Sequence, residues 1–302
     1  MKRHFQRLVS YFMMLCMLFG FMPLLAPLAQ DTSTIPNIDD GHFAVAASQT
    51  GLFLQNSSIY SHELAILAAE LSHLAYSPAE LYNRLEQLGM SNIRRFETGV
   101  RWHDTDPHFV EFTVGLSTEE RNSKIYNLIF VVIRGTATHY EWVSNFTVIQ
   151  ASDEELHLGF DLATTRLLDS LLDFLPGDIV DNPGNNIFLI TGHSRGGAVA
   201  NLLASVYRHR FPVRFDNLFT YTFASPNTMS PRNYSTDYPI FNIVNEYDLV
   251  PRVPAGNWIR AGTDKFFNSF SWVPVMRLYY NHSHEMHLNW MRDNAAYNLS
   301  IR

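Results

Sequence analysis

Gly192, His193, Ser194, Arg195 and Gly196 are the stretch of this 302-residue chain whose residue types and spacing suggest a reaction. Glycines two before and two after a serine (G-x-S-x-G) allow a very sharp strand-to-helix turn, which leaves no room for neighbouring side chains. Such a turn lifts the Ser194 hydroxyl clear of a sheet and sets it beside a helix N-terminus, where backbone N–H groups hold negative charge. Small residues are common in turns, so the pattern alone is weak and its context matters. The run over 186–191 is rich in Ile, Leu and Phe and reads as a buried strand. Ala198, Val199, Leu202, Leu203 and Val206 then recur as on the inner face of a helix. The competing reading is an ordinary glycine-rich turn, and partners for the serine would decide against it.

A serine hydroxyl needs a base to take its proton and an acid to orient that base. Asp248 stands just past an apolar strand over 240–245, in a loop held by Pro251 and Pro254. Catalytic groups of open α/β sheets gather at such carboxyl ends. Glu246 is the competing acid but lies closer to the strand, and Asp248 could also serve only as a turn residue. His282, His284 and His287 surround the start of a last helix over 283–294. Their spacing also suggests a metal site, yet no acidic or histidine cluster elsewhere completes a coordination shell, so no metal is predicted. A histidine at a helix N-terminus near the chain end can reach across the sheet top to Ser194. His282 is the predicted base and His284 the alternative. The order Ser, Asp, His is the chain order of α/β-hydrolases. An oxyanion needs two donors: the backbone N–H of Arg195 is one, and Thr136, at the end of the apolar strand 128–132, is the other. Arg134 is predicted to be a buried ion-pair partner. His42, His62, His73, His103, His108, His139 and His209 are predicted to be surface or capping residues. This chemistry needs no cofactor.

The elements that must position these groups alternate in kind. Helical spacing marks 61–75, and Ser77-Pro78-Ala79-Glu80 reads as a capping box opening a second helix that Gly89 ends. Strands are predicted over 109–116 and 125–134, joined like a hairpin by a turn at 118–124. A helix over 158–175 stops at Pro176-Gly177, and further strands follow at 218–223 and 240–245. Strands alternating with long helices imply an α/β fold, a mostly parallel central sheet with helices on both faces. With no internal repeat or linker, residues 59–302 are expected to be a single domain, preceded by a flexible lead-in over 30–58.

Residues 1–29 have another character. Lys2, Arg3 and Arg7 precede an apolar stretch reaching Leu28, the form of a secretory signal. Its length also suits an uncleaved anchor, but Pro23 and Pro27 favour the signal. Cleavage is expected after Ala29 or as late as Ala46, making the protein secreted or extracytoplasmic. The only cysteine, Cys16, lies inside this stretch, so the mature chain has no thiol chemistry. A hydrophobic content of 46% supports a sizeable core, and a net charge of −7 argues against nucleic acid as a partner.

Five stretches together resemble the class 3 lipases, the family of filamentous-fungal triacylglycerol lipases with many bacterial relatives. They are residues 131–136, 141–145 (Glu-Trp-Val-Ser-Asn), 157–160 (His-Leu-Gly-Phe), 192–198 and 245–251. The resemblance spans about 130–255, and five matches in the right order make it specific. It implies an α/β-hydrolase that cleaves carboxylic esters through Ser194, Asp248 and His282, with Thr136 and Arg195 as oxyanion hole. A phospholipase or acyltransferase with the same triad, or a non-catalytic lipid-binding protein on this scaffold, are the alternatives. The family usually has Leu where Arg195 stands, which leaves the backbone role intact and changes the nearby surface. The family's lid maps to about 137–148, which is short. The aromatic segment between Phe266 and Tyr280 is expected either to wall an acyl groove or touch a lipid surface, or to pack into the core beside the last strand.

Overall fold

The computed structural model describes residues 49–53, 55–99, 109–121, 123–135, 156–231, 238–269 and 277–294. All elements below belong to one compact unit, Thr50–Arg302. In chain order they are α1 (His62–Leu74), α2 (Pro78–Gln87), β1 (Asn92–Thr98), β2 (Val110–Arg121), β3 (Lys124–Ile133) and α3 (Leu158–Phe174). Then come α4 (Gly177–Asp181), β4 (Asn186–His193), α5 (Arg195–Ala204), β5 (Leu218–Phe223) and β6 (Ile240–Asn245). The last are β7 (Thr263–Phe267), α6 (Arg277–His282) and α7 (His284–Asp293).

The seven strands lie in the order β1 to β7. β1, β2 and β3 pair antiparallel, and β3 to β7 pair parallel. Parallel strands buried on both faces read as unbroken apolar runs. β4 is the clearest case, with all eight residues buried. Side chains alternate across the sheet because successive Cβ atoms point to opposite faces. Leu128, Phe130 and Val132 join Leu189, Phe219 and Phe223 under α1, α2 and α7. Ile129, Val131 and Ile133 join Phe188 and Ile190 under α3 and α5. Each such Leu, Ile or Phe contributes about 1.5–3 kcal/mol by leaving water. Helices therefore cover both faces, as the alternation of elements implied.

Register decides what lies at the top of the sheet. Ile133 is paired with Gly192, His193 with Phe223, Phe223 with Ile243, and Asn245 with Phe267. The carboxyl ends of β3, β4, β5 and β6 thus finish together, and the segments after them emerge at one edge.

Several local expectations are corrected. Residues 92–98, a polar stretch with no predicted element, form edge strand β1, because one side pairs with β2 and the other faces water. The hairpin turn is tighter than 118–124: β2 runs to Arg121 and β3 starts at Lys124, directly paired. Ser61 caps α1 by accepting from the Leu64 N–H at 3.2 Å, but Ser77 makes no side-chain cap bond to α2. The backbone explains the contrast, since Ser61 is fully extended at ψ 121° whereas Ser77 is at ψ 80°. Pro78 nevertheless opens α2 as expected. Finally, β7 and α6 were not foreseen, and His282 ends α6 instead of opening the last helix. Ser283 caps α7 and accepts from the Met286 N–H at 3.1 Å. Among the described residues no helix is long and apolar enough to cross a membrane. The expected signal segment lies outside them.

Candidate active site

β4 ends at His193 and α5 begins at Arg195, so Ser194 alone makes the turn. Its backbone stands at φ 57°, ψ −125°, a conformation that a non-glycine residue holds only when its surroundings impose it. One imposing contact is the Ser194 N–H, which donates to the Phe223 carbonyl at 2.8 Å. The flanking glycines are explained by close approach. A Cβ on Gly192 would lie 2.5 Å from the carbonyl of Gly196, and one on Gly196 would strike the Ile133 carbonyl oxygen. This is the strand–turn–helix context that a nucleophilic serine requires.

The tertiary structure brings three predicted residues into one hydrogen-bonded line. Ser194 Oγ lies 2.8 Å from His282 Nε2, and His282 Nδ1 lies 2.7 Å from Asp248 Oδ2. A carboxylate only accepts, so Nδ1 carries the proton and Nε2 presents a lone pair to the serine hydroxyl. Ser194, His282 and Asp248 are 5%, 7% and 2% exposed, so the line is screened from water. The other carboxylate oxygen of Asp248 accepts from the Val250 N–H at 2.9 Å, which fixes its plane. Glu246 stands outside this line, its carbonyl accepting from Arg252. His284 does too: its Nδ1 is 2.7 Å from His73 Nδ1, and its ring stacks on Tyr76 at 4.2 Å.

Residues that sequence reasoning passed over hold the acid and base segments together. Fully buried Asn245, at the end of β6, donates to the carbonyls of Ser269 and Asn281 and accepts from the N–H groups of Tyr247 and Ser269. Asn281 returns a bond to the Tyr247 carbonyl at 3.3 Å. Arg260 forks onto Asp264 and donates to the carbonyls of Ser225 and Pro251, pinning the Asp248 loop from below. Two asparagines near the acid and base were the available signal, since such side chains satisfy backbone groups beyond strand ends.

The strand leading to the expected oxyanion loop is anchored by charge. Glu111, 4% exposed, accepts from Arg134 at 2.5 Å and from Arg95 at 2.9 Å, so Arg134 has the predicted ion-pair role. Arg195 is the first residue of α5, where helical N–H groups lack intrahelical acceptors. Its side chain turns away to donate to the Phe109 carbonyl. Thr136, residues 141–145, the lid stretch 137–148 and residues 270–276 of the aromatic segment lie outside the described residues. Of that segment, Phe267 is buried against His287 and Trp290, as the packing alternative expected, and Tyr280 is 48% exposed.

Five imidazoles crowd this end of the sheet: His73, His193, His282, His284 and His287. Burial pushes His193 well below the usual histidine range, and neighbouring His282 and His287 push the same way. Burial likewise lowers His284 and His287 to about 4, and lowers His73. His157, 3% exposed and stacked on Phe160 at 4.0 Å, is also lowered by burial to about 4. His73 and His62 were expected at the surface or as caps. His73 instead pairs with His284, and His62 bonds Tyr60 Oη and sits 3.3 Å from the Met291 carbonyl. No group of three or more His, Cys, Asp or Glu among the described residues is arranged to hold a metal.

The elbow, acid loop and strand end that make this site all lie within one matched stretch. The chain resembles the class 3 lipases, whose family model matches residues 130–258. Lipase II from Rhizopus niveus has the same fold, with a TM-score of 0.53, 20% identity and coverage of 74% of this chain and 83% of that one. The lipase of Rhizopus microsporus var. chinensis gives 0.52 and 18%, covering 70% and 77%. The Rhizomucor miehei lipase propeptide complex gives 0.51 and 22%, covering 68% of each chain. No curated protein matches the chain. The architecture is therefore the α/β-hydrolase fold that these structures share. His282 lies beyond the family match, so its place beside Ser194 comes from geometry alone.

Proposed function

We propose that this protein is a serine hydrolase that cleaves carboxylic esters of lipids through a covalent acyl-enzyme. The observation that carries the reading is the continuous line Ser194–His282–Asp248 at 2.8 and 2.7 Å, on an elbow whose serine holds φ 57°. His282 Nε2 takes the Ser194 proton as Oγ attacks the ester carbonyl. Asp248 keeps the ring in the required tautomer and stabilises the imidazolium that forms. The developing oxyanion lies at the N-terminus of α5, where the Arg195 N–H and the helix dipole favour negative charge, with Thr136 as the second donor. The imidazolium then gives its proton to the departing alcohol. Water, activated by the same imidazole, releases the acid. The class 3 lipase match and the fungal lipase likeness support lipid esters as the substrate class. The N-terminal pattern of Lys2, Arg3 and Arg7 before an apolar stretch supports secretion.

The test is hydrolysis of p-nitrophenyl esters of increasing chain length, measured alongside Ser194→Ala. Activity should fall in the variant by about 10⁴-fold or more. A serine-directed phosphonate should label the parent chain and not the variant. Equal rates in both proteins, with no labelling, would sink the reading and leave a lipid-binding protein on a lipase scaffold.

A further inference from the structure

His193, the residue before the nucleophile, is buried and bonded at both ring nitrogens. Its Nε2 lies 2.7 Å from the backbone carbonyl of His282. A carbonyl only accepts, so the ring proton is on Nε2. Burial keeps the ring neutral, which leaves Nδ1 as an acceptor. The Tyr76 hydroxyl lies 2.9 Å from that Nδ1 and is the donor. Neither residue has a part in the proton transfers between Ser194, His282 and Asp248.

The position of His282 shows what this bond accomplishes. It is the last residue of the six-residue α6, and the final carbonyls of a helix have no intrahelical donor. Water has little access to a residue 7% exposed, so the carbonyl needs a protein donor. His193 supplies it from the same rigid elbow that carries Ser194. The elbow and the base are therefore tied twice: through the reacting side chains, and through a backbone bond that persists while the proton moves. Tyr76 extends the tie to a third segment. A Cβ on Gly135 would collide with Tyr76 Oη and the His193 carbonyl oxygen, so Tyr76 packs directly on the backbone entering the expected oxyanion loop. The Tyr76 ring is itself held by stacking on His284.

We infer that Tyr76 and His193 are positioning residues that set the register of His282 against Ser194 and lock His193 in the neutral, Nε2-protonated tautomer. The inference rests on the serine-hydrolase reading above. The lock matters in two ways. The other tautomer would point a lone pair at the His282 carbonyl and break the tie. A protonated His193, with its ring 4.8 Å from that of His282, would oppose the imidazolium that catalysis forms.

The test uses the full chain and four variants. His193→Leu should lower kcat about a hundredfold with KM within about twofold, the size expected when a reacting group is misplaced. His193→Gln, whose amide N–H reaches the place of Nε2–H, should recover most of that loss. Tyr76→Phe should lower kcat about tenfold and shift the His193 tautomer, read by ¹⁵N-histidine NMR at pH 7. Equal losses in His193→Leu and His193→Gln that track their unfolding temperatures would overturn the inference, because packing alone would explain them. If His193→Leu does not fold, unchanged kcat in Tyr76→Phe overturns it equally. Should the parent chain hydrolyse no ester and Ser194→Ala match it, the hydrolase reading falls, and NMR judges the tie alone. An Nε2-protonated His193 that changes in Tyr76→Phe supports it, and an Nδ1-protonated or charged ring overturns it.

Discussion

Ser194 sits on a turn built from adjacent residues and braced by the two flanking strands, whereas His282 is held by residues far from it in sequence. The elbow is built from β4, two glycines and the first turn of α5, and it is braced by the Phe223 carbonyl of β5 and the Ile133 carbonyl of β3 on either side. His282, the proposed base, hangs at the end of a short helix and depends on Asp248 and Asn245 at the end of β6 and on His193 at the end of β4. A nucleophile must sit in a rare backbone conformation, and a local steric trap is the direct way to enforce one. A base must only meet the nucleophile, and any rigid set of hydrogen bonds at the sheet's edge can arrange that.

Perturbing each kind of support sharpens the contrast. Asp248→Asn should leave the elbow and its backbone intact yet lower kcat about 10⁴-fold, since the ring would lose its tautomer and the charge that stabilises it. Near-native kcat in that variant would show that the Asp248–His282 bond is not used. Asn245→Ala removes donors from the buried Asn281 carbonyl and the half-buried Ser269 carbonyl, and an acceptor from two N–H groups. It should lower kcat about a hundredfold and stability by about 2–4 kcal/mol, read by steady-state kinetics and urea unfolding. If kcat survives while stability falls, the base is not held through Asn245.

Acid offers a third perturbation. His157, His284 and His287 are each lowered to about 4 by burial, against a usual value near 6.5. The unfolded chain therefore binds protons first as pH falls below about 6.5. The stability these neutral rings contribute is complete above that pH and is lost progressively toward pH 4. Unfolding temperature should drop over that window, and the pH dependence should weaken in His284→Gln. A flat profile would show that the three rings are not held neutral. The smallest effect is expected far from the site: Ser61→Ala should cost about 1 kcal/mol through loss of the α1 cap while leaving kcat unchanged. The parallel change Ser77→Ala should cost less, because that hydroxyl makes no cap bond.

The sequence by itself determined the parts whose cause is local. The apolar run of β4, the glycines around Ser194 and the helical spacing of α5 act within twenty residues, so pattern reading finds them. Asp248 beyond β6 was legible for the same reason, as were the two-faced sheet and the ion-pair role of Arg134. Only the tertiary structure decided the rest. β1 and β7 are edge strands whose half-exposed pattern is weak, and their pairing partner, not their composition, makes them strands. His282 could be chosen over His284 only as an expectation, because two histidines two positions apart look alike until α6 ends at one and α7 begins at the other. Tyr76, His193 and Asn245 carry no motif of their own for positioning. Their roles are hydrogen bonds to backbone groups on other segments, and such bonds exist only once the chain has closed the sheet and set its register.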